Sequence, residues 1–388
     1  MRIVEIREKA VPLNSSLRNA VFSFEDMTTS IVAVITDVIR NGKPVVGYAF
    51  NSTGRYACGA QMRDRFIPRL KRAPEADTTL DPKAFNPEAM LKAMMFGEKP
   101  GGDIERSVGI GTIENAIWDA VAKIADVPAY KLIADRYNGG QYPEKVFCYV
   151  GGGWYAPGKG IPELLAEMRG HLDRGYRLLK MKVGGAPIEE DVARLEAVLG
   201  LLGGDASRLA VDANCGIGPD RRPAYAKALA PYGLRWFEEV AHPVDYQGNA
   251  DFISAYGGAV ATGENLFSVE DFRNLVRHGG MRKDKDVIMI DIPQSYGIST
   301  AARVLAMLGE HGWSPRSVLP HGGNQMSFNH AAGLGLGMCE SYPDAFGVFS
   351  GYADDAVVED GWITSGDWAG MGFERQNALY ALMREISS

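Results

Sequence analysis

Short apolar runs that each end in a carboxylate, repeating at one fixed interval, constrain this chain more than any other feature. Asp212 closes Leu209-Ala210-Val211, Glu238 closes Leu234-Arg235-Trp236-Phe237, and Glu264 closes Ala259-Val260-Ala261-Thr262-Gly263, so successive acids stand 26 residues apart. One strand, one helix and two short loops occupy about that length, the unit of a parallel βα array. A strand buried on both faces reads as a continuous apolar run, and a carboxylate ending it sits at its C-terminal lip. Any one of these acids could instead cap the helix that follows. Three at equal spacing on consecutive strands predict an oxygen cage for a hard cation such as Mg²⁺.

The same rhythm covers most of the chain. Strand candidates fall at 146–150, 177–183, 208–213, 234–239, 259–264, 287–291, 317–320 and 337–340, with helical patterns between most of them, such as 188–202, 268–277 and 300–311. Eight such strands with right-handed crossovers predict a (β/α)8-type barrel over residues 145–355. An open doubly wound sheet is the rival, and it would usually carry a Gly-rich phosphate turn after its first strand. Gly151-Gly152-Gly153 stands there but runs into Trp154-Tyr155-Ala156-Pro157 rather than a helix start. Ahead of the barrel, residues 1–135 read as an α+β capping module. Its strands are expected at 2–7, 29–40 and 45–50, with Asn41-Gly42 as a hairpin turn. Helical spacing follows over 61–72, 87–95 and 107–125, with Pro128 after the stop. The segment 356–388, helical over about 374–386, is expected to pack back on the cap.

Composition narrows the partners. A net charge of −7 lacks the basic footprint that nucleic acid requires, and an acidic substrate would have to be held by local cations or a metal. Cys58, Cys148, Cys215 and Cys339 form no C-x-x-C pair, which suits a reduced cytoplasm and offers neither zinc site nor disulfide framework. Met1-Arg2-Ile3-Val4-Glu5 has no apolar signal-peptide core, and no apolar stretch has the length of a membrane span. A soluble cytoplasmic protein is expected.

In a barrel the reacting groups cluster at the C-terminal ends of the strands. The second strand ends Leu179-Lys180-Met181-Lys182, and alternation sends both lysines to one face. Two neighbouring ammonium groups should depress each other's pKa and help one act as a base. A solvated pair on an edge strand is the alternative. Glu238 and Glu239 face opposite ways, and Glu238 is favoured as the interior ligand. The sixth strand ends at Asp291 and the seventh at His321-Gly322-Gly323, close enough for Asp291 to orient the ring and raise its pKa. His321 is thus a candidate general acid. Glu340, ending the eighth strand, is either a cap or a substrate contact. A carboxylate held by the cation would have its α-carbon between Lys182 and the Asp291–His321 pair. That placement suits proton abstraction next to a carboxylate.

These residues resemble the enolase superfamily, mandelate racemase subgroup, whose sites combine a Lys or His base with Mg²⁺ for such chemistry. The similarity runs the length of the chain. Gly97-Glu98-Lys99-Pro100-Gly101-Gly102, the run from Leu172 to Lys182, Ala261 to Asn265, Pro320 to Gly323, and Gln325-Met326-Ser327 through Glu340-Ser341-Tyr342-Pro343-Asp344 resemble its D-tartrate-dehydrating members. The resemblance implies a capping domain whose loops close the barrel mouth and one Mg²⁺ on Asp212, Glu238 and Glu264. It also implies Lys182 as proton acceptor and His321 as the acid expelling a β-hydroxyl. Asn19, Thr53, Lys99, Trp154, Lys182, His321, Glu340 and Tyr342 match substrate contacts, although Thr53 stands where the family has Asn and Trp154 where it has Tyr. The implied activity is dehydration of a small hydroxy diacid, D-tartrate to oxaloacetate, by a homo-oligomer. Two alternatives stay open: a dehydratase or epimerase/racemase of another acid sugar, and a binding protein on a retired enzyme scaffold.

Overall fold

The computed structural model describes residues 1–343 and 345–388, which places Asp344 outside the described residues. Its first part is an antiparallel sheet of β1 (Ile3–Pro12), β2 (Thr28–Arg40) and β3 (Lys43–Phe50). Asn41 and Gly42 take φ of 52° and 73°, the positive values a two-residue hairpin turn requires. The helix Asp103–Ala125 lies across this sheet and is buried almost all round, as its apolar residues on every side demand. Contact is close: a side chain at Gly47 would stand 2.1 Å from the Ala116 carbonyl oxygen.

Eight parallel strands follow: β4 (Lys145–Gly152), β5 (Leu179–Lys182), β6 (Leu209–Asp212), β7 (Phe237–Glu238), β8 (Val260–Thr262), β9 (Val287–Ile290), β10 (Val318–Pro320) and β11 (Cys339–Ser341). Neighbours in sequence pair from β4 to β10, and β11 returns to pair with β4. Among the described residues no ladder joins β10 to β11. A backbone hydrogen bond from Gly337 N to the Val318 carbonyl, 3.1 Å, spans that seam. The parallel order excludes the reversed strand order of a doubly wound sheet.

From β5 to β8 the ladders are shorter than the apolar runs, whose flanking residues mostly stay buried beyond the pairing, whereas β4 extends beyond the expected 146–150. Two elements escape the apolar periodicity. Pro128 ends one helix and leads directly into another, Ala129–Tyr137. A hairpin of β12 (Val358–Glu359) and β13 (Trp362–Thr364) adds antiparallel to the start of β4. The last helix, Asn377–Glu385, lies near β1, with Lys9 Nζ 3.1 Å from Glu385 Oε2. No helix among the described residues is long and apolar enough to cross a membrane.

Tyr149, Leu178, Ala210, Trp236, Ala261, Met289 and Leu319 form an apolar cluster of their own, one on or beside each strand from β4 to β10. Side chains two residues further along a strand point the same way. From this plug, two residues on lie Lys180, Asp212, Glu238, Asp291 and His321. The strand period therefore sets a charged layer on an apolar floor.

Candidate active site

That layer adjoins a cavity of about 120 Å³. Asn19, Thr53, Trp154, Lys182, Glu264, His321 and Tyr342 all line it, so most of the sequence-derived candidates meet in one place. Asp212, Glu238, Asp291, Glu340 and Lys180 lie buried beside it. Lys99 is not brought there. It is exposed on a loop whose inward anchor is its neighbour Glu98, gripped by Arg65, Arg69 and Arg106.

Lys182 Nζ donates to Asp212 Oδ2 at 2.6 Å and lies 4.5 Å from the centre of the Trp154 ring. His321 Nδ1 is 2.7 Å from Asp291 Oδ2, and since a carboxylate only accepts, that nitrogen carries the proton. Asp291 is itself fixed by the backbone N–H of Gln294, 3.1 Å from Oδ1. His321 Nε2 faces Glu264 Oε1 at 3.4 Å and Glu340 Oε2 at 3.9 Å. Burial opposes protonation of the ring, but Glu264 and Asp291 prevail and push its pKa up to about 10.

Lys180 departs from expectation. Its Nζ lies 2.5 Å from Glu340 Oε1 and 2.8 Å from Glu238 Oε1, away from the cavity lining. Burial would lower its pKa, yet the charges of Glu238 and Glu340 raise it well above the ordinary value, outweighing any repulsion from Lys182. Tyr342 Oη donates to the same Glu340 at 2.7 Å, placing Glu340 beneath the cavity as a support for both residues.

The neighbouring acids divide as alternation predicts. Glu238 points inward, its second oxygen accepting from Trp236 Nε1 at 2.8 Å. Glu239, at a φ of 51°, lines the cavity with Asn214 and Asn265. Asn214 and Cys215 also have positive φ, 44° and 59°, the conformation that favours glycine.

As they stand, no three acidic, histidine or cysteine side chains among the described residues meet closely enough to grip one ion. Asp212 and Glu238 are turned to the lysines. The donor set nevertheless fits a hard cation on two observations. Glu264 Oε2 is buried without a hydrogen-bond partner, and burial together with the charge of Glu239 pushes the Glu264 carboxyl well above its usual range. Six carboxylates, on Asp212, Glu238, Glu239, Glu264, Asp291 and Glu340, crowd against two lysines and His321. Excess buried negative charge of this kind calls for a cation.

Several cavity residues are not singled out by the sequence: Phe22, Phe24, Phe346, Arg55 and Gln294, while Asn265 stands only as the end of the Ala261–Asn265 motif. Their positions depend on loops approaching across the fold, and only the aromatic content of residues 22–24 could have hinted at a wall.

A family model described as enolase C-terminal domain-like matches residues 163–378, and the chain belongs to the enolase superfamily. Among its relatives is the 3,6-anhydro-alpha-L-galactonate cycloisomerase of Streptomyces coelicolor, 31% identical over 95% of this chain and 94% of that one. The L-talarate/galactarate dehydratase of Salmonella typhimurium is 25% identical over 89% of this chain and 81% of its own length. A crystal structure of a racemase from Streptomyces coelicolor A3(2) with bound magnesium superposes with a TM-score of 0.76 at 26% identity, covering 97% of this chain and 99% of that one.

Proposed function

We propose that this chain is a Mg²⁺-dependent hydro-lyase that dehydrates a small hydroxy diacid, converting D-tartrate to oxaloacetate and water. The observation that carries the reading is one cavity lined by Lys182, Glu264 and an Asp291-oriented His321, above a layer rich in buried carboxylates. An enzyme of the lyase class accords with the dehydratases among its relatives. The eight parallel strands are read as a (β/α)8-type barrel spanning 145–355 with 1–135 as its cap. Of the segment 356–388 the last helix lies on the cap, whereas its β12–β13 hairpin extends β4 instead.

Asp212, Glu238 and Glu264 would hold the Mg²⁺, Glu238 and Asp212 re-aiming an oxygen from the lysines. Bound there, the ion supplies Lewis-acid stabilisation for the negative charge that develops on the substrate carboxylate. With Asp212 turned to the ion, Lys182 loses its ion-pair partner, and its Nζ, as the free amine, takes the proton from C2. His321 Nε2 then donates a proton to the C3 hydroxyl as its C–O bond breaks, releasing water. The resulting enol becomes oxaloacetate by tautomerising. Asp291 keeps the ring oriented, and Lys180 and Glu340 hold the charges beneath. The tartrate assignment rests on the Gly97–Gly102 and Glu340–Pro343 motifs; the named relatives act on both a diacid, galactarate, and a monoacid, anhydrogalactonate.

Incubation of tartrate isomers and longer acid sugars with Mg²⁺, reading keto-acid formation, tests this. Lys182→Ala is expected to lower kcat by about 10²- to 10⁴-fold, the usual worth of a positioned base. Near wild-type turnover in that variant would remove the base assignment. Solvent deuterium at the α-carbon of intact recovered substrate, without keto acid, would instead mark an epimerase.

A further inference from the structure

Arg55 is a cation of the cavity lining with few commitments of its own. It stands on the loop 51–56, which is tied down from two directions. Asn51 Nδ2 donates to the carbonyl oxygens of Arg55 and Tyr56 at 3.0 and 3.4 Å. Gln294 Nε2, from the loop after β9, donates to those of Ser52 and Thr53 at 3.0 and 3.2 Å. The guanidinium lies over the Phe267 ring, Cζ 4.9 Å from its centre, and one N–H donates to Asn265 Oδ1. Among the described residues Arg55 forms no ion pair. The other cations of the lining are engaged: Lys182 with Asp212, His321 with Asp291.

Its place in the fold gives this freedom a direction. Asn265 follows Glu264 at the tip of β8, whereas Lys182 ends β5, three strands away along the sheet. The side near Lys182 is aromatic: Trp154 packs on Phe24, Tyr342 and Phe346 at 5.5 to 5.7 Å between ring centres. An aromatic wall offers no charge to an anion. A guanidinium backed by a ring and held at one N–H presents its remaining donors as a fork, the geometry that matches a carboxylate.

We propose that Arg55 is a specificity-determining residue that reads a second carboxylate on the substrate, so that the site prefers hydroxy diacids to hydroxy monoacids. The proposal rests on the hydroxy-acid reading above and chooses between the two substrate types its relatives leave open. Asn265 is its positioning partner, coupling Arg55 to the loop that carries Glu264.

Calorimetric titration of the Mg²⁺-supplemented protein with D-malate and D-lactate, which differ by the distal carboxylate, tests it. The wild type should bind malate at least about tenfold more tightly than lactate, the range of a hydrogen bond to a charged group. Arg55→Met should weaken malate by about 10- to 100-fold and leave lactate within about threefold. Arg55→Lys, keeping the charge but not the fork, should fall between. Equal weakening of both ligands, or no preference in the wild type, overturns the proposal. Tartrate turnover undiminished in Arg55→Met sinks this proposal alone. An Arg55-dependent preference in a protein that turns over no tartrate sinks only the substrate assignment.

Discussion

His330 shows how far burial alone can set a residue's behaviour. It is wholly buried in the helix Gln325–Leu334, its Nε2 2.7 Å from Asn115 Oδ1 and its Nδ1 without a partner. Burial depresses its pKa to about 3 from an ordinary 6.5. The unfolded chain therefore takes up a proton that the native protein refuses. Stability is undiminished above the unfolded pKa and falls as pH drops from 6.5 toward 3. His330→Gln, which cannot ionise, should flatten that loss by about 1.4 kcal/mol per pH unit in urea unfolding between pH 6 and 4. Parallel profiles for the two proteins would show that His330 is not the titrating group. Legibility at this scale follows the same physics. A lysine pair, a histidine and acids at the ends of apolar runs are conspicuous because burial makes charge costly. Arg55 and Asn265 are not, since they touch across 210 residues of sequence and neither interrupts an apolar pattern. The Gly97–Gly102 stretch was legible as a motif, but it is Glu98 in its cage of arginines that the fold uses, while Lys99 stays exposed.

Among the elements, the helix Asp103–Ala125 joins the two halves of the site. A Cβ at Gly111 would stand 2.2 Å from the Pro293 carbonyl oxygen, beside the Gln294 that holds the Arg55 loop. Gly111→Ala must push this helix and the 293–297 loop apart. Overpacking of this kind costs about 1 to 3 kcal/mol, and chemical denaturation should read it. The same variant should lose kcat/KM through the displaced Gln294, and unchanged stability and activity would contradict so tight a contact. Strand order was legible because most of the parallel strands are apolar up to a polar residue at or just beyond their ends. Strand ends were not, because apolar residues continue past the last paired residue into buried loops. The helix Ala129–Tyr137 was hidden by Pro128, which closes one helix and is well suited to opening another. The β12–β13 hairpin is too short for period-2 alternation to show.

Taken whole, the molecule sets loops of the N-terminal sheet module against the C-terminal tips of a parallel sheet, and the cavity is lined by both. Asn19, Thr53 and Arg55 come from one side, Lys182, Glu264 and His321 from the other. Membership of the enolase superfamily accounts for this division, and the repeated acids at a 26-residue interval were its clearest trace in the sequence. How β11 comes to lie beside β4 was not legible, because it depends on the arrangement of all eight parallel strands rather than on any local run. The account stands or falls on Asp212, Glu238 and Glu264 serving one cation. Titrating Mn²⁺ as a paramagnetic substitute, with water-proton relaxation to count bound ions, measures this without turnover. One site per chain is expected, lost in Asp212→Asn and in Glu264→Gln and retained in Arg55→Met. Full Mn²⁺ binding by both ligand variants, or none by the wild type, would contradict it.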